Sequence, residues 1–264
     1  MHKLCRYVRF SINPFLPADE PGFNSFASRP AGEGLSVFLE ICVELTGDLN
    51  ATTGLIINVS DIDQKVRQFA VPVFAEGIRK DYRAASHTGY HRLAQMLKAA
   101  WGELSNKFGS ARLSKLSLKL NPFRTLTVVE PECAMIYFSE KFEFAAAHKL
   151  WNEKFSEQKN VEIFGRCANP AGHGHNYIVE VTIKWPAGQD IRTSDFEKVV
   201  YKELIKGVDH KNLNEDVPEF KQTTPTVENI AVFAWNKLVD KFGKAMLHCV
   251  TVWETDKTYS SYYG

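Results

Sequence analysis

Three histidines in the second half of the chain have the residue type and spacing of metal ligands. His173 and His175 are separated by one residue at the start of a segment with alternating apolar residues, so on a strand both side chains point to one face. His148 ends the preceding predicted strand, the hairpin neighbour of that segment. An isolated His-x-His pair is more often a turn, and the third histidine in register favours a metal site. Three imidazoles with one coordination position open are typical of a catalytic zinc site.

Cys167 lies just upstream, in a loop rich in Gly, Asn and Pro that leads into the two histidines. A thiol close to a metal or a protonated histidine can have a lowered pKa and act as a base or a nucleophile. A free cysteine is also commonly a small buried hydrophobic residue. The spacing alone does not distinguish the two interpretations.

Two further groups carry charges that could serve chemistry. Asp209 adjoins His210, and a neighbouring carboxylate can orient an imidazole and stabilise its charged form for general acid chemistry, although most such pairs lie in solvated loops. Glu254 ends a predicted strand on the face that carries Val250 and Val252. A carboxylate there needs donors, either the amide and amine edge of a pterin or guanine ring, or a lysine or arginine.

The elements that must position these residues occur twice. Residues 35–45 resemble residues 175–185, and in both segments the apolar residues fall on odd numbers, which predicts a strand with one buried face. A helix follows each strand, beginning near Ser60 and near Ser194, where Ser194 and Glu197 have the spacing of a capping box. Second helices are predicted around 87–108 and 226–242, and closing strands near 113–129 and 247–254. Each half therefore reads strand, strand, helix, helix, strand, strand, with the boundary near Pro131.

The bulk composition excludes several classes of protein. The 264 residues are 44% hydrophobic and 24% charged with a formal net charge of +1, so no global field favours nucleic acid or a membrane surface. No apolar run approaches the length of a membrane span, and the first residues lack the apolar core of a signal peptide. Five cysteines without a framework spacing suit a reducing compartment. We expect a cytoplasmic protein that binds neither nucleic acid nor membrane.

Four motifs in the second half together resemble one enzyme family. In order they are FGRCANPAGHGHNY, VDHKNLNEDVPEF, TPTVENIAVFAW and VTVWET, within residues 134–264. This combination is similar to the 6-pyruvoyl-tetrahydropterin synthase/6-carboxy-tetrahydropterin synthase family. The resemblance implies an α+β tunnelling fold (T-fold), a four-stranded antiparallel sheet with two helices on one face that assembles into barrels. It also implies a homo-oligomer, a trimer or a multiple of it.

The resemblance also implies roles for individual residues. His148, His173 and His175 would bind Zn²⁺, Cys167 would be the catalytic thiol, and Asp209 with His210 the second acid–base group. Glu254 would anchor the pterin ring, with Thr226 and Glu228 lining the pocket. The implied reaction converts 7,8-dihydroneopterin triphosphate into the 6-pyruvoyl product with loss of triphosphate.

Two alternatives to that activity are open at this point. The queuosine-pathway branch forms a 6-carboxy product with the same residues, and five residues between Cys167 and His173 favour the 6-pyruvoyl branch. A zinc-stabilised binding or assembly protein without turnover is the alternative of another class. Retention of Cys167, Asp209, His210 and Glu254 together argues against it.

The first half resembles a second copy of the same fold that has lost its site. Residues 1–131 would be a structural domain without metal, and residues 132–264 the catalytic zinc-binding domain. In our alignment Glu33 and Leu35 replace His173 and His175, and Asn121 falls opposite Glu254. His87 and His91 have the spacing of a ligand pair on a helix, but no third ligand accompanies them, which favours ordinary helix residues.

Overall fold

The computed structural model describes residues 1–15, 35–189 and 192–264, and its architecture is α+β with predominantly antiparallel strand pairing. The chain forms two compact units. Unit 1 comprises Met1–Phe138 with Trp185–Ile191, and unit 2 comprises Ser139–Lys184 with Arg192–Gly264. Within the described ranges, no helix combines the length and the apolar character needed to cross a bilayer.

Unit 1 contains a four-stranded antiparallel meander. Its strands are β1 (His2–Ile12), β2 (Val37–Gly47), β3 (Arg112–Lys119) and β4 (Arg124–Val129), each paired with the next. The predicted alternation on β2 is confirmed, because Leu39, Ile41, Val43 and Leu45 are all buried. One face of the sheet therefore belongs to the core.

Helices of unit 1 provide the other side of that core. The first helical segment runs through α1 (Val59–Lys65), a π-helical turn (Val66–Ala70) and α2 (Val71–Arg83), and α3 spans Tyr90–Leu104. Asn58, rather than Ser60, caps α1, since its side chain accepts a hydrogen bond from the Ser60 N–H. Leu97 and Leu104 are buried as the helical spacing predicts.

Unit 2 contains a second antiparallel meander with additions around the ligand residues. Its main strands are β5 (Met135–His148), β6 (His173–Pro186), β8 (Met246–Thr255) and β9 (Thr258–Tyr262). Strand β8 pairs antiparallel with both β6 and β9. The short strand β7 (Lys211–Asn212) runs parallel to the end of β5. The additions between β5 and β6 are α4 (Glu157–Phe164) and a 3₁₀ turn (Gly165–Ala168).

The helices of unit 2 follow β6 in the predicted order. The first comprises α5 (Thr193–Val200), a π-helical turn (Tyr201–Ile205) and α6 (Lys206–Val208). The short helix α7 (Leu213–Asp216) and a 3₁₀ turn (Pro218–Lys221) come before α8 (Val227–Leu238), which packs on β8 and β9.

Two local expectations differ from the structure. The capping box is wrong, because α5 starts at Thr193 with Arg192 at its N-cap and no side-chain cap hydrogen bond. Helix α8 ends at Leu238, four residues before the predicted end. The last predicted helical turn is replaced by a tight turn in which Asp240 and Gly243 both have positive φ.

Both units have a bulge at the same place in the meander, which revises the alignment between the halves. Ser114 on β3 and His248 on β8 are the extra residues, opposite shifts at Glu44/Leu45 and Thr182/Ile183. Matching the bulges places Leu35 and Val37 opposite His173 and His175, and Leu120 opposite Glu254. This pairing differs from the predicted one by one residue at Asn121 and by two residues at Leu35, which was predicted opposite His175, and Glu33 lies outside the described residues.

Candidate metal centre and active site

The three predicted ligands converge where two neighbouring strands of unit 2 meet. His148 is the last residue of β5, and His173 and His175 open β6, where alternation places both on the face of the buried Tyr177. Glu254, near the end of β8, joins them. One ligand atom from each of the four residues lies within 4.8 Å of all the others.

The distances inside this group fit a bound cation. His148 Nε2 lies 3.1 Å from His173 Nε2 and 3.3 Å from Glu254 Oε1, and His175 Nε2 lies 3.5 Å from the same Oε1. The last separation is long for a hydrogen bond. His175 Nε2 and His173 Nδ1 are both buried without a hydrogen-bond partner. His175 Nε2 faces the group, and leaving it unsatisfied costs about 1–3 kcal/mol, which favours a metal that would accept its lone pair; His173 faces the group through Nε2 instead of Nδ1. Imidazole and carboxylate ligands suit a divalent transition ion.

The backbone fixes which nitrogen of His148 faces the other ligands. His148 Nδ1 lies 2.8 Å from the carbonyl oxygen of Pro225. A carbonyl only accepts, so Nδ1 carries the proton and Nε2 presents its lone pair to the centre. The Tyr177 hydroxyl is 3.3 Å from the same Nδ1, and the Tyr177 ring stacks on Phe144 at 4.9 Å between centroids.

Burial keeps these imidazoles ready to bind a cation. It lowers the pKa of His148, with His173 and His175 lowering it further against the opposing effects of the Pro225 carbonyl and Glu254. Burial is also the main cause that lowers the pKa of His175. Both rings are therefore neutral at pH 7, and a metal would displace no proton from them.

Gly172 places the backbone that leads into the two β6 ligands. Its φ of +69° lies in the left-handed region, and a Cβ at this position would be 2.9 Å from the His148 carbonyl oxygen. Any other residue would be strained by both effects. Gly174 differs, because a Cβ there would meet the Ala146 carbonyl oxygen at an ordinary 3.6 Å.

Cys167 lies close enough to the centre to sense its carboxylate. It sits in the 3₁₀ turn Gly165–Ala168, and its carbonyl accepts a hydrogen bond from the Leu150 N–H at 2.9 Å. Burial, and then the charge of Glu254, raise the pKa of the Cys167 thiol above its usual 9.0. Without a cation, Cys167 is therefore a thiol rather than a thiolate at neutral pH.

Asp209 and His210 form a pair outside the four-residue group. Asp209 accepts a hydrogen bond from the Ala145 N–H at 2.9 Å, and its other oxygen lies 3.0 Å from His210 Nδ1. The Ala145 N–H and then His210 lower the pKa of Asp209. The His210 side chain is 82% exposed. His210 and His175 line one cavity of about 500 Å³, but among the described residues no contact joins the pair to Cys167.

The two remaining predicted residues lie at the start of α8. Thr226 is its N-cap, and Thr226 Oγ1 accepts a hydrogen bond from the Asn229 N–H at 3.3 Å. Glu228 is exposed in the first helical turn. His91 is engaged on both ring nitrogens, by the Gln189 carbonyl and by Gln95, which favours its structural interpretation.

Sequence reasoning missed the groups that hold the ligands. The Pro225 carbonyl is a backbone group, so no residue type in the sequence indicates that it would bind His148. Tyr177 had a visible signal, because it continues the alternation of His173 and His175 on one face. Gly172 was visible only as part of a loop.

A cluster of three histidines and a glutamate at the mouth of an antiparallel sheet defines a candidate metalloenzyme. The family model described as 6-pyruvoyl tetrahydropterin synthase matches residues 137–264. Human 6-pyruvoyl tetrahydrobiopterin synthase is 38% identical over 130 residues, which cover 48% of this chain and 90% of that protein. The 6-carboxy-5,6,7,8-tetrahydropterin synthase of Aquifex aeolicus is 27% identical over 163 residues, which cover 47% of this chain and 95% of that protein.

Among solved structures, the Caenorhabditis elegans 6-pyruvoyl tetrahydropterin synthase is similar at 35% identity. That match has a TM-score of 0.47 and covers 49% of this chain and 96% of that one. The chain belongs to the 6-pyruvoyl tetrahydropterin synthase family. The matched stretch lies almost wholly after residue 136, so the family assignment rests on the second half of the chain.

We expect Gly172→Ala to lower the affinity for Zn²⁺ about tenfold or more. The added Cβ meets the His148 carbonyl and disfavours the positive φ, which shifts His173 away from the other ligands. Gly174→Ala in the same motif is the matched control, and its affinity should stay within about twofold of wild type. Competition against a chromophoric chelator measures both. Equal affinities of the two variants would contradict the role given to Gly172.

We also expect Cys167 of the metal-free protein to react with iodoacetamide only as the pH rises towards and above 9. A raised pKa leaves little thiolate at neutral pH, so the rate should climb with pH rather than level off near pH 7. Glu254→Gln removes one cause of the raised pKa and should move the profile to lower pH. Mass spectrometry of the Cys167 peptide follows the reaction. A midpoint at or below pH 7 in the metal-free wild type would refute this electrostatic account.

Proposed function

We propose that this chain is a zinc-dependent 6-pyruvoyl-tetrahydropterin synthase, a lyase that converts 7,8-dihydroneopterin triphosphate to 6-pyruvoyl-tetrahydropterin with loss of triphosphate. The observation that carries the proposal is the convergence of His148, His173 and His175 with Glu254, beside Cys167. Family membership supports the pterin substrate. Three imidazoles form a complete protein ligand set for catalytic zinc and leave a coordination position for substrate.

Glu254 requires a choice between two roles. Its Oε1 lies near the Nε2 atoms of His148 and His175, so the carboxylate could join the imidazoles or turn to a substrate. We assign it to the substrate, because the three histidines suffice for the metal and a carboxylate pairs with the amide and amine edge of a pterin. Thr226 and Glu228 would line the same pocket.

Cys167 and His210 would then carry out different proton transfers. When bound, zinc would polarise the side-chain hydroxyls of the substrate and acidify the neighbouring C–H. Cys167 would accept a proton as a thiolate once a cation offsets the charge of Glu254. His210, oriented by Asp209, would return a proton to the substrate. Hydrogen is redistributed within the substrate while the C–O bond to triphosphate breaks, so no outside oxidant is needed.

The alternative activity is that of a 6-carboxy-tetrahydropterin synthase. The similarity to the Aquifex enzyme favours keeping it, at lower identity than the 6-pyruvoyl relatives. The five residues between Cys167 and His173 favour the 6-pyruvoyl reaction.

Product identification with purified protein and 7,8-dihydroneopterin triphosphate tests the proposal. We expect one equivalent of zinc per chain, triphosphate release and the 6-pyruvoyl product. His173→Ala should lose metal and activity together, whereas Cys167→Ala should keep zinc and turn over about 10²–10⁴-fold more slowly. A 6-carboxy product would establish the alternative activity. Zinc binding without any turnover would support the silent assembly protein instead.

We further propose that residues 1–131 form a degenerate copy of the T-fold that serves as structural partner to a catalytic domain of residues 132–264. The support is the common order of elements and the common bulge in the two units. Leu35, Val37 and Leu120 stand where unit 2 has His173, His175 and Glu254. In the part of the chain that the structure describes, the metal-ligand group occurs in unit 2 alone.

The edge strands predict assembly into a homo-oligomer. Among the described strands, β1 pairs only with β2 and β9 only with β8, and Tyr259 on β9 is 62% exposed. Open edges promote aggregation unless they are paired, and pairing between copies would close a barrel. Light scattering on the full chain should give a trimer or a multiple of it. A stable monomer with full activity would contradict this account.

A further inference from the structure

We propose that Asn229 is a positioning residue for the metal centre. Asn229 holds the Thr224–Thr226 turn, and that turn presents the Pro225 carbonyl that orients the ring of His148. The inference rests on the proposed function in that the centre binds a metal. The hydrogen bonds from Asn229 to the turn and from His148 to Pro225 are formed by the chain itself.

The ring of His148 depends on that carbonyl for its orientation. The side chain is fully buried at the end of β5, and Pro225 O is the acceptor 2.8 Å from Nδ1. If the carbonyl moved away, the Nδ1 proton would lose this acceptor in a dry environment. The ring would then rotate or change tautomer, and Nε2 would no longer present a lone pair to His173 and Glu254.

Pro225 cannot fix its own carbonyl. It has no N–H, and the peptide that carries its carbonyl is anchored through the Thr226 N–H, which donates to the Thr224 carbonyl at 2.8 Å, so the turn depends on the residues on either side. Thr224 Oγ1 donates to the Trp151 carbonyl at 3.1 Å, which ties one end of the turn to the loop after β5. The other end is tied to α8 through Asn229.

Asn229 contacts the turn on both sides of Pro225. Its side-chain Nδ2 donates to the Thr224 carbonyl at 2.8 Å, and its backbone N–H donates to Thr226 Oγ1 at 3.3 Å. The side-chain contact needs an N–H donor, which a carboxylate of the same shape lacks. Substitution of the side chain leaves the backbone cap of α8 in place.

The location of Asn229 in the first turn of α8 allows its effect on the His148 ring to be measured separately from its effect on helix stability. It is the third residue of α8, after the N-cap Thr226, where a negative charge favourably meets the positive end of the helix dipole. Asn229→Asp should therefore preserve or raise the stability of α8. The same change places a carboxylate oxygen against the Thr224 carbonyl and breaks the link to Pro225.

The experiment compares Asn229→Asp and Asn229→Ala with wild type and with Asn236→Ala, an exposed asparagine later on the same helix. In the metal-free full chain, long-range ¹H–¹⁵N spectra report the tautomer of His148. We expect a single Nδ1–H tautomer in wild type and in Asn236→Ala, and a mixture in both Asn229 variants. We expect the Zn²⁺ affinity of Asn229→Asp to fall about tenfold or more while its melting temperature stays within a few degrees of wild type, because the favourable charge at the helix start offsets much of the lost hydrogen bond. The absorption spectrum of the Co²⁺ form should change in parallel.

The two readouts keep this inference apart from the proposed function. A wild-type protein that binds no Zn²⁺ would refute the proposed metal dependence, while the tautomer of His148 would still decide the role of Asn229. A single Nδ1–H tautomer in Asn229→Asp, together with Zn²⁺ affinity within about twofold of wild type where zinc binds, would overturn the inference and leave Asn229 a residue of the helix start only.

Discussion

The second unit depends on the burial of imidazoles at the end of an apolar sheet face. His148 is fully buried, and His173 and His175 continue the face of Tyr177, so none of the three rings is freely hydrated. Burial favours the uncharged form and lowers the pKa of His148 and His175, which is the state that a metal requires. The same burial leaves ring nitrogens without partners in the metal-free protein. The ligand cluster therefore contains a buried nitrogen, His175 Nε2, that a bound cation would satisfy.

Backbone groups position several residues of this cluster. The Pro225 carbonyl selects the tautomer of His148, and the carbonyl of His148 itself leaves room only for a glycine at position 172. The thiol of Cys167 is held through its own carbonyl, which accepts from the Leu150 N–H. A centre built in this way is sensitive to turns and caps that carry no ligand, because a small displacement of a peptide moves an imidazole.

The sequence predicts the parts of the structure that follow from periodicity and residue type. Strict alternation predicts β2 and β6 and places His173 and His175 on one face, and the helical spacing predicts α3 and α8. The capping box at Ser194 fails because Arg192, rather than Ser194, has the extended backbone of the N-cap, and side-chain spacing does not encode which residue takes that position. The Pro225 carbonyl and the bulges at Ser114 and His248 escape for the same reason, since they are properties of backbone geometry and register.

Among the described residues, the metal-ligand group occurs in unit 2 and not in unit 1, although both units have the same bulge. If the two units are matched at their bulges, as the proposed duplication implies, Leu35, Val37 and Leu120 take the positions of two histidines and a glutamate, and that strand end carries no side chain that needs a polar partner. Val37 and Leu120 line an apolar cavity of about 400 Å³ together with Leu39 and Ile78. An apolar strand end needs neither a metal nor an orienting carbonyl, and the meander is held by the same alternating residues on β2. Among the described residues, the ligand group thus lies at a strand end of unit 2, whereas the corresponding side chains named in unit 1 are apolar.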